Sequence, residues 1–269
     1  MPAVEPLKQT GVELILRQSK TPILPTLSSR VIICGPSGVG KGNLVAQMLL
    51  NPLFYRGCFD EILYFSASAQ VDPNLNPIRK YCEEHLEQSR PCLYDTFDEQ
   101  FLRDHLDEQL RLVRYTKKQA AKEGKRKVKG WQTIVCIDDF ADSPEVMRKS
   151  GGILESLFIR GRHANVSVFL LTQKYRALSP VCRLNANAIC FFSQRSQFDL
   201  TSFLDENSAA VPRKELEALY RRATLQDHGF LYCNLMGSVP RFFSFFEKEL
   251  IPPSLQTQRR IHPQDEDES

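Results

Sequence analysis

Short apolar runs alternate along this chain with stretches whose apolar residues recur at helical spacing. Residues 31–34 are apolar and end at a glycine, as a buried parallel strand does. Leu44, Val45, Met48 and Leu49 then follow a helical period until Asn51-Pro52 stops them. Residues 61–66 predict a second strand, and residues 67–80, which contain Asp72-Pro73 and Asn76-Pro77, predict a loop. Leu102, Leu106, Leu110 and Val113 fall on one face of a long helix expected from about residue 98 to 121. Trp131 opens a strand at 133–137, Ser143-Pro144 suits a helix cap and first turn, and Ile153, Leu154, Leu157 and Phe158 continue a helical face past the breaking point Gly151-Gly152. Residues 166–172 and 188–192 are further buried strands, and residues 229–233 and 241–246 flank Met236-Gly-Ser as an antiparallel hairpin.

Strands alternating with helices predict an α/β fold, a mainly parallel sheet covered on both faces. The chain divides into an N-terminal arm (1–28), one large domain (29–250) with an insertion at 67–130 carrying the long helix and a basic loop, and an acidic tail (251–269) expected to be disordered.

Composition narrows the picture only a little. With 269 residues, 42% of them apolar, the chain can bury a sizeable core, and its 17 Phe and 8 Tyr exclude disorder throughout. No apolar run is long enough to span a membrane, and the first residues lack the pattern of a secretory signal, so no membrane association is expected. Eight scattered cysteines, none at CxxC spacing, fit a reducing intracellular compartment better than a disulfide scaffold. Cys82, His85 and Cys92 lack a fourth zinc ligand and match no common finger. A net charge of +3 is too mild to announce a nucleic-acid partner, but it is unevenly placed: residues 111–129 hold nine Lys or Arg against one Glu.

The strongest chemical signal is Gly35-Pro36-Ser37-Gly38-Val39-Gly40-Lys41, between a predicted strand and a predicted helix. Its backbone N–H groups can curl around phosphates, the helix N-terminus adds positive potential, and the lysine reaches the terminal phosphates. The pattern predicts a P-loop NTPase with ATP and Mg²⁺ as ligands, residues 35–43 forming the nucleotide cradle. Gly42 stands where a Ser or Thr hydroxyl ordinarily holds Mg²⁺, which leaves the metal to water and nearby acids, with Asn43 as a possible aid. The run 134–137 ends in Asp138-Asp139; Asp138 would hold Mg²⁺ through water, and Asp139 would orient or deprotonate the attacking water. Gln173 ends the strand 166–172 and could bond the γ-phosphate or that water. Arg160 and Arg162 could sense phosphate charge or reach a neighbour's nucleotide.

The ordered set GPSGVGK, IVCIDDF, FIRGRHANVSVFLLTQ and CRLNAN resembles the poxvirus-type genome-packaging ATPases, also found in virophages and Polinton-like elements. These belong to the FtsK–HerA branch of P-loop NTPases, and the resemblance covers about residues 28–247. It implies an ASCE, RecA-like three-layer sandwich and an oligomeric ring, pentamer or hexamer, that uses ATP to drive double-stranded DNA into a capsid through a capsid or portal partner. It also implies roles by position. Lys41 matches the Walker A lysine, Asp138 and Asp139 the Walker B acids, Gln173 the sensor, and Arg162 the arginine before the sensor strand. Arg183 and Asn185 match the following R-x-N motif, and Arg162 and Arg183 are both candidates to act on a neighbouring subunit's ATP.

Other P-loop classes fit less well. No Asn-Lys-x-Asp motif serves a GTPase, and residues 149–153 follow the acidic strand where an ABC signature would precede it. A small-molecule phosphotransferase, or a nucleotide-binding assembly protein that lost hydrolysis with the Gly42 hydroxyl, are the alternatives. For a motor that must pass any DNA, Lys125, Arg126, Lys127 and Lys129 are the candidate phosphate contacts.

Overall fold

The computed structural model describes residues 11–138, 140 and 151–256. The expected cap at Ser143-Pro144, the second acid Asp139, and the acidic residues at the end of the chain lie outside the described residues.

In chain order the elements are β1 (Glu13–Ile15), β2 (Arg30–Cys34), α1 (Lys41–Leu50), β3 (Glu61–Ser66), α2 (Asn76–His85), β4 (Leu93–Tyr94), α3 (Glu99–Lys122), β5 (Lys127–Lys129) and β6 (Thr133–Asp138). They continue with α4 (Ile153–Arg160), β7 (Val166–Thr172), α5 (Pro180–Leu184), β8 (Ala188–Phe192), α6 (Gln197–Glu206), α7 (Arg213–Ala223), β9 (Phe230–Asn234), β10 (Arg241–Ser244) and β11 (Lys248–Glu249). Among the described residues, nine strands form one sheet in the order β11-β10-β9-β8-β2-β7-β6-β3-β4. From β8 to β4 the pairs are parallel. The β8–β9, β9–β10 and β10–β11 pairs are antiparallel, so the sheet is mixed, with the predicted C-terminal hairpin at one side.

The two faces of the sheet carry separate cores, because alternate residues of each strand point to opposite sides. Ile32, Leu63, Val135, Val168, Ile189 and Phe191 pack with α3, α4, α6 and α7. Val31, Ile33, Tyr64, Cys136, Phe169 and Phe192 pack with α1, α2 and residues of the arm. The result is the three-layer sandwich expected of this class. All eight cysteines are buried and free. Among the described residues, no group of His, Cys, Asp and Glu is arranged to hold a metal, and no helix is long and apolar enough to cross a membrane.

The loop expected at 67–80 is a correction. It folds as a short 3-10 turn (Pro73–Leu75) running into α2. Asp72 caps the turn by accepting a hydrogen bond from the Asn74 N–H at 2.9 Å, and Pro77 sits in the first turn of α2. A proline there removes an N–H that has no helical partner, so a dipeptide read as a breaker starts the helix. α3 matches expectation closely: Asp98 accepts from the Phe101 N–H at 2.9 Å. Acidic residues at the start of α3 and basic ones at its end both complement the helix dipole.

The basic loop after α3 is also more ordered than expected. Residues 127–129 form β5 and pair in parallel with β1 of the arm. The arm is tied down further by Arg17, which ion-pairs with Asp60, and by mutual hydrogen bonds between Arg17 and Gln132.

Under α3 lies a charged cluster. Glu61 is pushed above the usual carboxylate range by burial, opposed by Arg90 at 3.6 Å. His105 is 2% exposed and is pushed from an ordinary 6.5 to about 4 by burial and by Arg90, with Glu108 opposing. The ring is therefore neutral at pH 7, and its 3.7 Å approach to Glu61 is no ion pair there. A lowered folded pKa gives stability that is full above pH 6.5 and is lost as pH falls toward 4. From this group alone, unfolding free energy is expected to drop by about 2 kcal/mol between pH 7 and pH 5. Urea titrations of the parent and His105→Gln at both pH values check it; the pH loss should shrink in the variant, although protonation of Glu61 works in the opposite direction.

Candidate functional site

The P-loop joins the C-terminal end of β2 to α1. Gly40, the N-cap of α1, has φ 97°, a left-handed conformation that glycine adopts without steric cost, and no side chain caps the helix. The first N–H groups of α1 thus remain directed at whatever anion sits in the loop. Gly35 faces a different demand: a Cβ there would lie 2.7 Å from the Phe192 Cβ, so β8 packs directly against the loop backbone. Ser37 and Gly38 are exposed at the tip, Pro36, Val39 and Gly40 are half-buried, and Asn43 is exposed on α1. Lys41 is 7% exposed, its Nζ donating to the carbonyls of Gly35 at 2.9 Å and Pro36 at 3.0 Å.

Asp138 reaches the same place from β6, although β7 separates β6 from β2 in the sheet. It lies on the α1 face, as Ile134 and Cys136 do. A Cβ built on Gly42 would stand 3.8 Å from its Oδ2, an ordinary contact distance. The Tyr64 hydroxyl donates to the same oxygen at 3.2 Å. A carboxylate beside the loop suits Mg²⁺, which prefers hard oxygen ligands and keeps several waters. Gln173 is exposed at the C-terminal end of β7, beside the loop. Lysine, carboxylate and glutamine therefore converge at one edge of the sheet.

Two cavities flank the loop. One of about 710 Å³ is lined by Pro36, Ser37, Gln173, Arg176, Arg195 and Asp199 among others. The other, of about 360 Å³, lies toward the α7–β9 turn and includes Gly38, Val39, Arg195, Gln226, Asp227 and His228. His228 Nδ1 is 3.1 Å from the Val39 carbonyl oxygen. Sequence reasoning missed Gln194 and Arg195. Gln194 Nε2 donates to the carbonyls of Cys34 and Phe192, both at 3.2 Å, bracing the ends of β2 and β8. Both residues follow a buried strand's C-terminal end, the signal that had pointed to Gln173.

The arginines fall elsewhere. Arg162 lies in the turn before β7, near Arg30 at the start of β2, whose pKa is lowered first by burial and then by the Arg162 charge. This is the edge opposite the P-loop. Arg160 is there too, 3.7 Å from Asp107. Neither can act as a phosphate clamp in its own chain's loop. Arg183 is spent internally: its Nε and Nη2 engage Glu206 at 2.8 and 2.6 Å, its Nη1 donates to the Leu178 carbonyl, and it lies over the Tyr175 ring. Asn185 Nδ2 bonds the Val181 carbonyl on α5 at 2.8 Å. Lys125, Arg126, Lys127 and Lys129 are all exposed on the turn after α3 and on β5, with Lys125 beside Glu123 at 2.7 Å and Lys127 beside Glu13 at 3.1 Å.

Residues 95–221 match the family model of the poxvirus A32 protein. That is the family to which the sequence motifs pointed. The matched stretch includes Asp138, Gln173, Arg162 and Arg183 but not the P-loop, which rests on its own motif and geometry. Among solved structures, the chain is similar to the genome packaging NTPase B204 from Sulfolobus turreted icosahedral virus 2 in complex with ATP-γS. The two share 19% identity over 80% of this chain and 96% of the other, with a TM-score of 0.51. It is also similar to the pCW3 conjugation coupling protein TcpA, in its monomer form with ATPγS, at 16% identity over 87% of this chain and 65% of that one, with a TM-score of 0.50. The chain thus spans about two thirds of the TcpA structure. At this identity the similarity shows the fold, that of a P-loop NTPase. A search of curated proteins finds no match.

Proposed function

We propose that this chain is an ATP-hydrolysing DNA translocase that works as a homo-oligomeric ring and packages double-stranded DNA into a capsid. The observation that carries the reading is the convergence of the open N-terminus of α1, the Lys41 ammonium and the Asp138 carboxylate on one loop. Loop amides and α1 bind the β- and γ-phosphates, and Lys41 exchanges its carbonyl partners for terminal phosphate oxygens. Asp138, with water, would hold Mg²⁺ beside Gly42; when bound, the ion neutralises charge on the β- and γ-oxygens. Gln173 at the end of β7 orients the attacking water or bonds the γ-phosphate. Asp139 is proposed as the base.

Charge supports the ring. A dissociating phosphate needs further positive charge in the transition state, and Arg162, away from its own chain's loop, is proposed to give it to a neighbour's site. Arg183, held by Glu206 and Leu178, serves its own chain by fixing α5 against α6. The relatives' descriptions as a genome packaging NTPase and a conjugation coupling protein support nucleic-acid movement. A second reading, nucleotide binding for assembly without hydrolysis, is favoured by Gly42, which brings no hydroxyl to the metal. A small-molecule phosphotransferase loses ground because Arg160 and Arg162 lie away from the loop.

Turnover of ATP with and without double-stranded DNA separates these readings. The DNA contact is tested on the basic turn. Replacing Lys125, Arg126, Lys127 and Lys129 with Gln is expected to weaken DNA binding for any sequence. Its salt dependence should flatten by about one unit of log–log slope for each phosphate no longer neutralised. Unchanged affinity and slope in a fluorescence titration would remove this surface from the account.

A further inference from the structure

We infer that the Tyr64 hydroxyl stands in for the missing P-loop hydroxyl at Gly42 by positioning the Asp138 carboxylate for the metal. The inference rests on the nucleotide-binding reading above and deepens it. Two observations meet at a single atom. Asp138 Oδ2 accepts from Tyr64 at 3.2 Å, and a side chain at position 42 would enter from the opposite element with its Cβ 3.8 Å from the same oxygen. A serine hydroxyl placed there would come within hydrogen-bond reach of Oδ2. Position 42 also lies in an ordinary helical turn, outside the glycines with positive φ, so the absent side chain is not forced by the backbone.

Tyr64 is built to hold one place. It is fully buried on β3, where it packs among the α1 and α2 residues of its core cluster. Its register partner on β6 is Cys136, so its long side chain must run along the strand direction to reach Asp138, two residues further on. Ser66, paired with Asp138 in the same register, has its Oγ 3.0 Å from that of Ser68. The Tyr64 donor holds that Asp138 carboxylate oxygen in a fixed place beside α1. Supporting partners of this kind orient the groups that hold a metal and its waters, and their loss typically costs 10- to 100-fold in metal affinity, by order of magnitude.

Tyr64→Phe removes the hydroxyl and keeps the ring, so the core remains filled. Mn²⁺ would be titrated into the full chain with a non-hydrolysable ATP analogue, and free Mn²⁺ read by electron paramagnetic resonance. Tyr64→Phe is expected to weaken nucleotide-dependent Mn²⁺ binding by about tenfold or more. Tyr64→Phe with Gly42→Ser is expected to recover most of that loss, because the restored hydroxyl meets the same oxygen. Melting curves of the variants report folding separately from the metal readout. Parent-like binding in Tyr64→Phe, or a loss that Gly42→Ser does not repair, overturns the inference and leaves the nucleotide reading standing. A parent chain that binds no Mn²⁺ with nucleotide overturns both.

Discussion

Lys41→Ala is expected to reduce kcat/KM for ATP by at least about 10²-fold, with both phosphate binding and turnover affected. The lysine is nearly inaccessible, and both of its observed partners are loop carbonyls within six residues of it. Under the proposed function, its removal deletes the ammonium that meets the phosphates in the loop. Because Lys41 begins α1, an alanine there preserves the helix, and folding should survive. Stopped-flow binding of a fluorescent ATP analogue, together with steady-state phosphate release, separates loss of affinity from loss of turnover. A variant with parental kinetics would mean that phosphates do not sit in this loop.

The largest stability effect is expected at Phe191. Its ring stacks on Phe203 at a centroid distance of 4.0 Å and meets Tyr175 edge-on at 5.6 Å, joining β8 to α6 and to the turn after β7. It is 0% exposed. Phe191→Ala removes that ring and leaves a cavity bounded by rigid aromatic neighbours, a loss of about 3–5 kcal/mol. The neighbouring Phe192 points to the other face and touches the P-loop at Gly35. A shift of β8 therefore reaches the nucleotide site, and weaker nucleotide binding should accompany the loss of stability. Denaturant unfolding measures the first effect and analogue binding measured well below the unfolding midpoint measures the second.

The buried strands were legible because each is a continuous apolar run ending at a glycine or a polar residue. β3, β7 and β8 occupy the residues expected from that pattern alone. α2 was not legible, because Asn76-Pro77 signals a break and a helix start with equal force; only the Asp72 cap in three dimensions decides between them. β5 was hidden for another reason. A three-residue strand with two lysines has no apolar signature, and its pairing partner lies more than a hundred positions away in β1. Sheet order was likewise out of reach: nothing local tells that β7 separates β6 from β2.

The site shows the same division. Lys41 and Asp138 stand in motifs that phosphate and metal chemistry would dictate, so spacing and context pointed to them. Tyr64 is an ordinary strand aromatic until its hydroxyl is seen at Asp138, and Gly42 reads only as a missing group until its Cβ direction is known. The two arginines had equal standing in the sequence. Bidentate pairing with Glu206 gives Arg183 a structural duty, whereas Arg162 lies in the turn before β7, near Arg30 at the start of β2.

The most direct test of the central claim is single-turnover ATP hydrolysis by the full chain, with and without double-stranded DNA. The account predicts hydrolysis that DNA accelerates and that Lys41→Ala and Asp139→Asn abolish. Hydrolysis that appears only after Gly42→Thr, and is indifferent to DNA, would contradict it.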